Sequence, residues 1–342
     1  MSRLLTVILN YQTPAMTLKS AEAAMREMAG LDAELVIVDN RSDDGSVEAI
    51  RDALDRADWA KTRPVRLIES EVNAGFGAGN NIGILAGLSD GGTPDYVYIL
   101  NSDAFPDAGS IRHLLDHLDA HPEAGFAGSY IHGPDGDAHV TAFRFPSLWS
   151  ELEGAARFGP ISRLLRSKVV PLGVPEATQP VAWLAGASMM MRRSVLEQIG
   201  LFDETFFLYF EETDLCLRAA RAGHETHYVR NSQVTHIGSA STGMKTWKQV
   251  PDYWFDSRWH YFCKNHGRAY ACAATTMHVA GGLLWRMRRA IQKKPRAEAP
   301  GFLRKLFWHD ATAVFRPLPE KSAAVKSASH RAATDPSAEE LV

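Results

Sequence analysis

Residues 34–57 read ELVIVDNRSDDGSVEAIRDALDRA. The largely apolar run from Glu34 to Val38 predicts a buried strand that ends at Asp39. A polar turn follows, and Ser46 to Ala57 carries a helical pattern opened by Asp44 or Ser46 as a cap. Strand, polar turn and helix make one βα unit, and such units stack into parallel sheets.

The same order repeats on both sides. Leu4–Leu9 reads as a strand and Thr17–Met28 as an amphipathic helix; further on come a strand at Val65–Glu69, a helix at Ala78–Leu88, a strand at Tyr96–Leu100 ending at Asn101, and a helix at Ser110–His121. The expected fold is α/β: a Rossmann-like, mostly parallel, doubly wound sheet with helices on both faces. Sheets of this kind bind ligands at the carboxyl ends of their strands. Asn10, Asp39, Glu71 to Asn73, and Asn101 to Asp103 should therefore meet in one crevice. His132 to Pro180 is less regular, with the turn signal Gly133-Pro134-Asp135-Gly136, and reads as a loop-rich insertion. A second ordered block runs from Val181 to Thr242. Beyond Trp247 the chain reads as helical and increasingly basic, and its tail after Pro317, rich in Ala, Ser and Lys, is expected to be disordered. There are no internal repeats.

Composition narrows the classes. The 342 residues suffice for a large α/β core, and the formal net charge of −3 argues against a general nucleic-acid binder. Three cysteines, Cys216, Cys263 and Cys272, form no CxxC pair and make a poor disulfide framework, so a reducing, cytosolic compartment is expected. The opening MSRLLTVILNYQ reads as a first strand rather than a signal peptide. The longest near-apolar run, Ala269 to Leu284, is broken by His278 and two glycines and falls short of a membrane span.

Four stretches carry chemistry. VIVDNRSDDGS (36–46) places Asp39 at a strand end, where it can accept a hydrogen bond from a base or ribose, or serve a helix-capping turn. NAGFGAGNN (73–81) is glycine-rich, so backbone can approach a ligand, but it fits neither G-x-G-x-x-G nor a P-loop. YVYILNSDAFPD (96–107) sets Asn101 and Asp103 two apart past an apolar strand, a spacing that directs two oxygens toward one hard cation. Residues 183–238 crowd Glu211, Glu212 and Asp214 behind the aromatic run Phe206-Phe207-Leu208-Tyr209-Phe210, and end at His236. Crowded, partly buried carboxylates titrate high, which suits a general base. His236, following an apolar-flanked strand, is a candidate metal ligand beside them.

In this order and spacing, VDNRSDDGS, NAGFGAGNN, LNSDAFP, GASMMMRR, GLFDETFFLYFEETDLCLRAARAG and VTHIG resemble the family 2 glycosyltransferases, especially the rhamnosyltransferase-like branch of bacterial cell-surface polysaccharide synthesis. The match covers roughly residues 4–242. The resemblance implies a GT-A fold over 1–245, with a nucleotide-binding half (1–105) and an acceptor half (106–245). A basic, amphipathic helical extension (246–316) and the tail (317–342) would follow. It implies that Asp39 contacts the base of a dTDP- or UDP-sugar. Asn10 and Tyr11 would line that pocket, with Asn73, Gly75, Phe76, Gly77, Asn80, Asn101 and Ser102 near base, ribose or sugar. Asp103, His236 and Asn101 would hold Mg²⁺ or Mn²⁺. Glu212 matches the catalytic base, with Glu211 beside it and Asp214 supporting the next helix. Trp183 to Ser188, including Gly186 and Ala187, would shape the sugar or acceptor site, and Asp214 is counted with them. Two positions depart from the common pattern. Asn101 replaces an aspartate, a weaker ligand, and the Glu211-Glu212 pair replaces Glu-Asp, which leaves open which carboxyl acts.

The implied reaction is inverting transfer from a nucleotide-diphosphate sugar, first dTDP-L-rhamnose, to a glycan or lipid-linked saccharide. UDP-linked galactofuranose, glucose or N-acetylglucosamine are the alternative donors. A nucleotidyltransferase would need a basic residue in its N-terminal glycine-rich loop, and neither Asn10–Ala15 nor Asn73–Asn81 has one. A non-catalytic nucleotide-sugar-binding protein is the second rival. In the C-terminal region, Arg286, Arg288, Arg289, Lys293, Lys294, Arg296, Arg304 and Lys305 interleave with Leu283, Trp285, Met287, Phe307 and Trp308. That mixture suits peripheral contact with an anionic membrane at its inner face, or a solvated helix packed on the catalytic domain.

Overall fold

A computed structural model describes residues 2–238, 249–295 and 299–317. The first half alternates as the sequence predicts: β1 (Arg3–Asn10), α1 (Pro14–Glu27), β2 (Asp32–Asp39), α2 (Ser46–Arg56), β3 (Val65–Glu69), α3 (Phe76–Leu85), β4 (Tyr96–Asn101), β5 (Ala104–Pro106) and α4 (Ser110–Ala120). The second half brings β6 (Ala124–His132), β7 (Ala142–Phe143), α5 (Leu148–Ala156), α6 (Gly159–Leu164), β8 (Gln179–Val181), β9 (Trp183–Leu184), β10 (Ser188–Arg192), α7 (Arg193–Ile199), α8 (Glu211–Arg221) and β11 (Glu225–His236). Three helices follow: α9 (Asp252–His266), α10 (Arg268–Gln292) and α11 (Phe302–Ala313).

The main sheet runs β3-β2-β1-β4-β10-β6-β11-β5, with β8 also on β11. Its first four strands are all parallel, in register from Leu4 beside Ala33 and Tyr96. β10 enters antiparallel to both neighbours, after which β6 and β11 are parallel again. The central strands are apolar on both sides because both faces are covered. Leu4, Ile8, Leu35 and Tyr98 pack under α1, α2 and α4, while Leu5, Val7, Val36 and Ile99 pack under α3, α7 and α8. The α3 glycines permit the closest layer: a Cβ on Gly79 would lie 2.4 Å from Leu9, and one on Gly83 2.4 Å from Val7.

Some helix starts differ from expectation for local reasons. α1 begins at Pro14, whose fixed φ suits a first helical turn. α2 is entered through Gly45 at φ +86°, while Asp44 accepts the Ser46 backbone N–H at 3.0 Å, so neither Asp44 nor Ser46 is itself the cap.

The insertion and the C-terminal helices form one polar-centred packing unit. Arg258 of α9 is 1% exposed and donates to Glu151 of α5 (2.7 Å) and Asp310 of α11 (3.0 Å). His278 of α10 joins the same Glu151 oxygen at 2.7 Å. Burial would raise Glu151, but the Arg258 charge and the His278 hydrogen bond outweigh it and hold the carboxyl down at about 2. Across the boundary expected at 245/246, Asp214 of α8 is fully buried and meets Arg218 (2.8 Å), Lys264 (2.7 Å) and Asn265 (2.9 Å). The tail expected at 317–342, apart from Pro317, and Arg296 lie outside the described residues.

Arg258→Ala leaves two buried carboxylates without their cation and should lower the unfolding free energy by about 3–5 kcal/mol. Urea unfolding at neutral pH checks this, and a change under about 1 kcal/mol would remove the network from the stability argument.

Candidate active site

The carboxyl ends of β1, β2 and β4 open into a cleft of ≈ 800 Å³. Tyr11, Asn73, Gly75 and Phe76 border it from the first half, Asn101, Ser102, Asp103 and His236 from its floor, and Gly186, Ala187, Glu211 and Glu212 from the second half. A second hollow of ≈ 570 Å³ lies at the opposite end of the sheet, by Pro94, Asp95 and Arg193. Its Arg193 is already paired with Glu197 at 3.1 Å, and none of the candidate residues borders it.

Asp39 sits behind the cleft wall. It is almost fully buried, with Oδ2 accepting from the Asn10 amide (2.7 Å) and the Ser42 hydroxyl (2.7 Å), and Oδ1 accepting from the Ser42 N–H (2.9 Å). Asn10 is itself wholly buried, so it orients Asp39 and does not line the cleft. Asn40, which sequence reasoning missed, reaches the surface of the cleft. Its amide donates to Asn73 (2.9 Å) and to the Gly75 carbonyl (3.2 Å), which leaves Oδ1 as a buried acceptor with no partner. Gly77 and Asn80 are buried inside α3; Asn80 donates to the Phe76 carbonyl at 2.9 Å, and a Cβ on Gly77 would touch Phe202. Both shape the wall from behind.

Gly75 is where the two halves meet. At φ +93° it brings its Cα so close to Phe207 that a Cβ would stand 1.9 Å from the Phe207 carbonyl oxygen. That carbonyl accepts the Phe76 N–H at 2.9 Å. Beyond it Tyr209 and Phe210 both hold φ +71°, a left-handed pair that costs about 1–3 kcal/mol per residue and turns the chain into α8. The turn delivers Glu211 and Glu212 to the cleft.

The two glutamates differ. Glu211 is 1% exposed and its Oε2 has no hydrogen-bond partner. Burial, reinforced by the like charge of Glu212, pushes its carboxyl well above the ordinary range. Glu212 is partly exposed, and its Oε1 accepts the Gly186 N–H at 3.0 Å. Burial raises it too, opposed by that backbone donor. Gly186 must lack a side chain here, because a Cβ would fall 2.6 Å from Glu212 Oε1.

Opposite the acids, antiparallel pairing sets His236 against Ala104, next to Asp103. His236 Nε2 lies 3.0 Å from Asp103 Oδ1 and 3.5 Å from the Asn101 amide. His236 and Asp103 are in hydrogen-bond contact, and their nitrogen and oxygen are donor types that would suit a divalent cation. Among the described residues no group of three His, Cys, Asp or Glu is arranged to hold a metal. The donor set is therefore two side chains plus the Asn101 amide, which fits an ion whose remaining positions go to a ligand's phosphates or to water.

Besides the residues behind the wall, Asn10 among them, two further expected positions leave the cleft lining. Asp214 does not contact it: its carboxylate is consumed by Arg218, Lys264 and Asn265. Trp183 also lies outside the cleft lining, stacked on Phe143 at 4.2 Å with its indole N–H on the Arg144 carbonyl. In their place come His139 and Thr141 from the insertion and Phe207, Tyr209 and Tyr253. The rings of Phe207 and Tyr253 are 5.3 Å apart. The aromatic run ahead of Glu211 was a visible signal for Phe207 and Tyr209. Tyr253, on α9, had none.

The model of the family described as glycosyl transferase family 2 matches residues 6–200. The chain is 34% identical over 226 residues to N-acetylglucosaminyl-diphospho-decaprenol L-rhamnosyltransferase of Mycobacterium tuberculosis, covering 61% of this chain and 68% of that protein. Among solved structures, S. aureus TarS 1–349 in complex with UDP-GlcNAc superposes with a TM-score of 0.54 at 11% identity, covering 94% of this chain and 83% of that one. A mannosyltransferase from Pyrobaculum calidifontis, in complex with GDP-Man and Mn²⁺, gives 0.51 at 15% identity, over 91% and 86% of the two chains.

Gly186→Ala should leave the fold intact, since the clash falls on the movable end of a side chain, but should displace Glu212. A thermal midpoint within a few degrees of wild type with turnover down about 10²-fold is expected. Unchanged turnover would show that the Gly186–Glu212 contact does not set the position of the acid.

Proposed function

The chain belongs to the glycosyl transferase 2 family and has the GT-A fold, and from that premise we propose an inverting, divalent-metal-dependent transfer of L-rhamnose from dTDP-L-rhamnose to a saccharide carried on a lipid diphosphate. The observation that carries the reading is the single cleft with an unneutralised acid pair on one wall and the Asp103–His236 pair on the other. The name of the 34% identical relative supports rhamnose and a lipid-diphosphate acceptor. UDP-sugars are the alternative donors. On this reading the enzyme would meet its acceptor at the cytoplasmic face of a membrane; among the described residues no helix is long and apolar enough to cross one.

Each part of the site has a task in this reading. Asn40, on the cleft surface, would meet the nucleobase end, with Asp39, locked by Asn10 and Ser42, supporting the wall behind it. Asp103 and His236, with Asn101, would hold Mg²⁺ or Mn²⁺, which when bound neutralises charge on the departing diphosphate. Glu212 takes the proton of the acceptor hydroxyl. That oxygen forms the new bond to the anomeric carbon while the bond from that carbon to the diphosphate oxygen breaks on the opposite side, so the configuration inverts. Glu212 suits the role better than Glu211 because it is partly exposed and oriented by Gly186. Burial raises both members of the adjacent pair, so the two share a proton more readily than both ionise.

A base must be ionised to act. Because burial raises Glu212, turnover should climb with pH through a limb above the value of about 4.3 of a free glutamate. Glu212→Gln should lower kcat about 10²-fold or more with nucleotide binding kept, whereas Glu211→Gln should retain more activity. Near-wild-type turnover of Glu212→Gln would sink the assignment.

Thermal-shift measurements with dTDP, UDP and GDP, each with and without Mn²⁺, address donor and metal together, since a ligand of the folded state raises its stability. A metal-dependent shift with dTDP alone, lost in Asp103→Ala, is expected. A shift with UDP alone would redirect the donor, and a shift indifferent to Mn²⁺ and to Asp103 would overturn the metal role.

A further inference from the structure

Among the described residues, part of the C-terminal region's apolar surface is exposed. On α10, Trp285 and Gly282 are buried, but Leu283 and Met287 are each 57% exposed and Ile291 is 75% exposed. Their four-residue spacing puts them on one helix face. Thr276, Ala280 and Ala290, also exposed, extend that face, so it carries no charge over four turns.

The rim of this stripe is basic. Between Arg286 and Lys294 the chain has five cations and no acid. The segment 157–168 is welded alongside: Arg288 donates to the Arg157 carbonyl at 3.1 Å and lies 4.0 Å over the Phe158 ring, and Arg157 lies 5.9 Å over Trp285. It adds Arg163, Arg166 and Lys168, and Leu164, which is 83% exposed. The chain as a whole carries a net charge of −3, so this surface is a local excess of positive charge.

We propose that the α10 stripe, with Leu164 and its neighbouring cations, docks on an anionic lipid surface. An amphipathic helix with a basic rim inserts its apolar face to the depth of the headgroups while the cations meet lipid phosphates. A second copy of the chain fits less well, because a two-fold contact would set the cationic rims against each other. The proposal rests on the lipid-linked acceptor reading for its purpose, but its evidence is the surface itself.

Co-sedimentation of the full chain with phosphatidylcholine vesicles, and with vesicles containing phosphatidylglycerol, tests it. Binding to the anionic vesicles alone is expected, weakened by salt. The exposed triple variant Leu283→Ser, Met287→Ser, Ile291→Ser, and separately Arg289→Gln with Lys293→Gln and Lys294→Gln, should each reduce partitioning at least about tenfold. Neither touches the cleft, so both should keep the nucleotide thermal shift of the parent. Anionic-vesicle binding undiminished in both variants, or no binding by the parent, overturns the docking surface and leaves the transferase reading intact. Concentration-dependent dimerisation abolished by the stripe variant, without vesicle binding, assigns the face to a second copy instead. A parent that binds vesicles but shows no nucleotide response counts against the donor reading and not against the surface.

Discussion

The contact between Gly75 and the Phe207 carbonyl governs how the two halves of the molecule meet. No side chain fits at residue 75, and the hydrogen bond from Phe76 N–H to Phe207 fixes the approach. The turn that follows must then reverse within a few residues to start α8, and it does so through two non-glycine residues in the left-handed region. The backbone holds that strain because both ends are anchored: Phe207 on α3, and α8 by its buried Asp214 on α9. The product is a helix N-terminus aimed into the cleft from a rigid mount. Strain of this kind persists where surrounding structure over-determines it, and here it lies directly before the two candidate acids.

The acids are distinguished by what they lack. Asp214 and Asp310 are as buried as Glu211, yet each meets a cation, and Asp103 meets His236. Glu211 meets the like charge of Glu212 instead, and one of its oxygens has no donor. A fold that gives Asp214 and Asp310 a cation and leaves this pair side by side sets up an electrostatic tension in the cleft. The first turn of α8 works against the tension, since the helix dipole favours negative charge there. Desolvation wins over that help, and the result is a pair raised above ordinary glutamates while one member stays within reach of solvent.

Strand–helix alternation exposed most of the first half of the fold, because β1, β2 and β4 are largely apolar runs that end at a polar residue, whereas the short β5 had no such signal. Glu212 was marked by the apolar-to-polar step after Phe210, and Asp103 by its place just past the apolar strand; both border the cleft. The antiparallel insertion of β10 was not readable, since SMMMR is apolar in either direction and only spatial neighbours decide its orientation. Asn10 and Asp214 show the converse error. Both are polar residues in the right stretch, but each also has partners distant in sequence, Asp39 and Ser42 for Asn10, Lys264 and Asn265 for Asp214, and these make them internal supports. Trp183 likewise found a stacking partner 40 residues earlier and left the cleft.

The C-terminal helices show why charge in a sequence is a poor guide to surface. Arg258 reads as one more basic residue of a basic region, yet it is among the most buried side chains of the molecule. α9 is covered on nearly all sides, so its apolar residues show no clear stripe, and nothing in its pattern marks Tyr253 as a residue of the cleft. α10 is the opposite case: its pattern has one buried face and one exposed apolar face, which hydropathy alone merges into a single run interrupted by His278 and two glycines. The separation comes from packing. Gly281 and Gly282 admit α5 and Leu303 so closely that a Cβ would clash with either, and this fixes which side of α10 is inside. With that side determined, Leu283, Met287 and Ile291 have nowhere to go but outward, and the cations beside them determine what kind of surface they can meet.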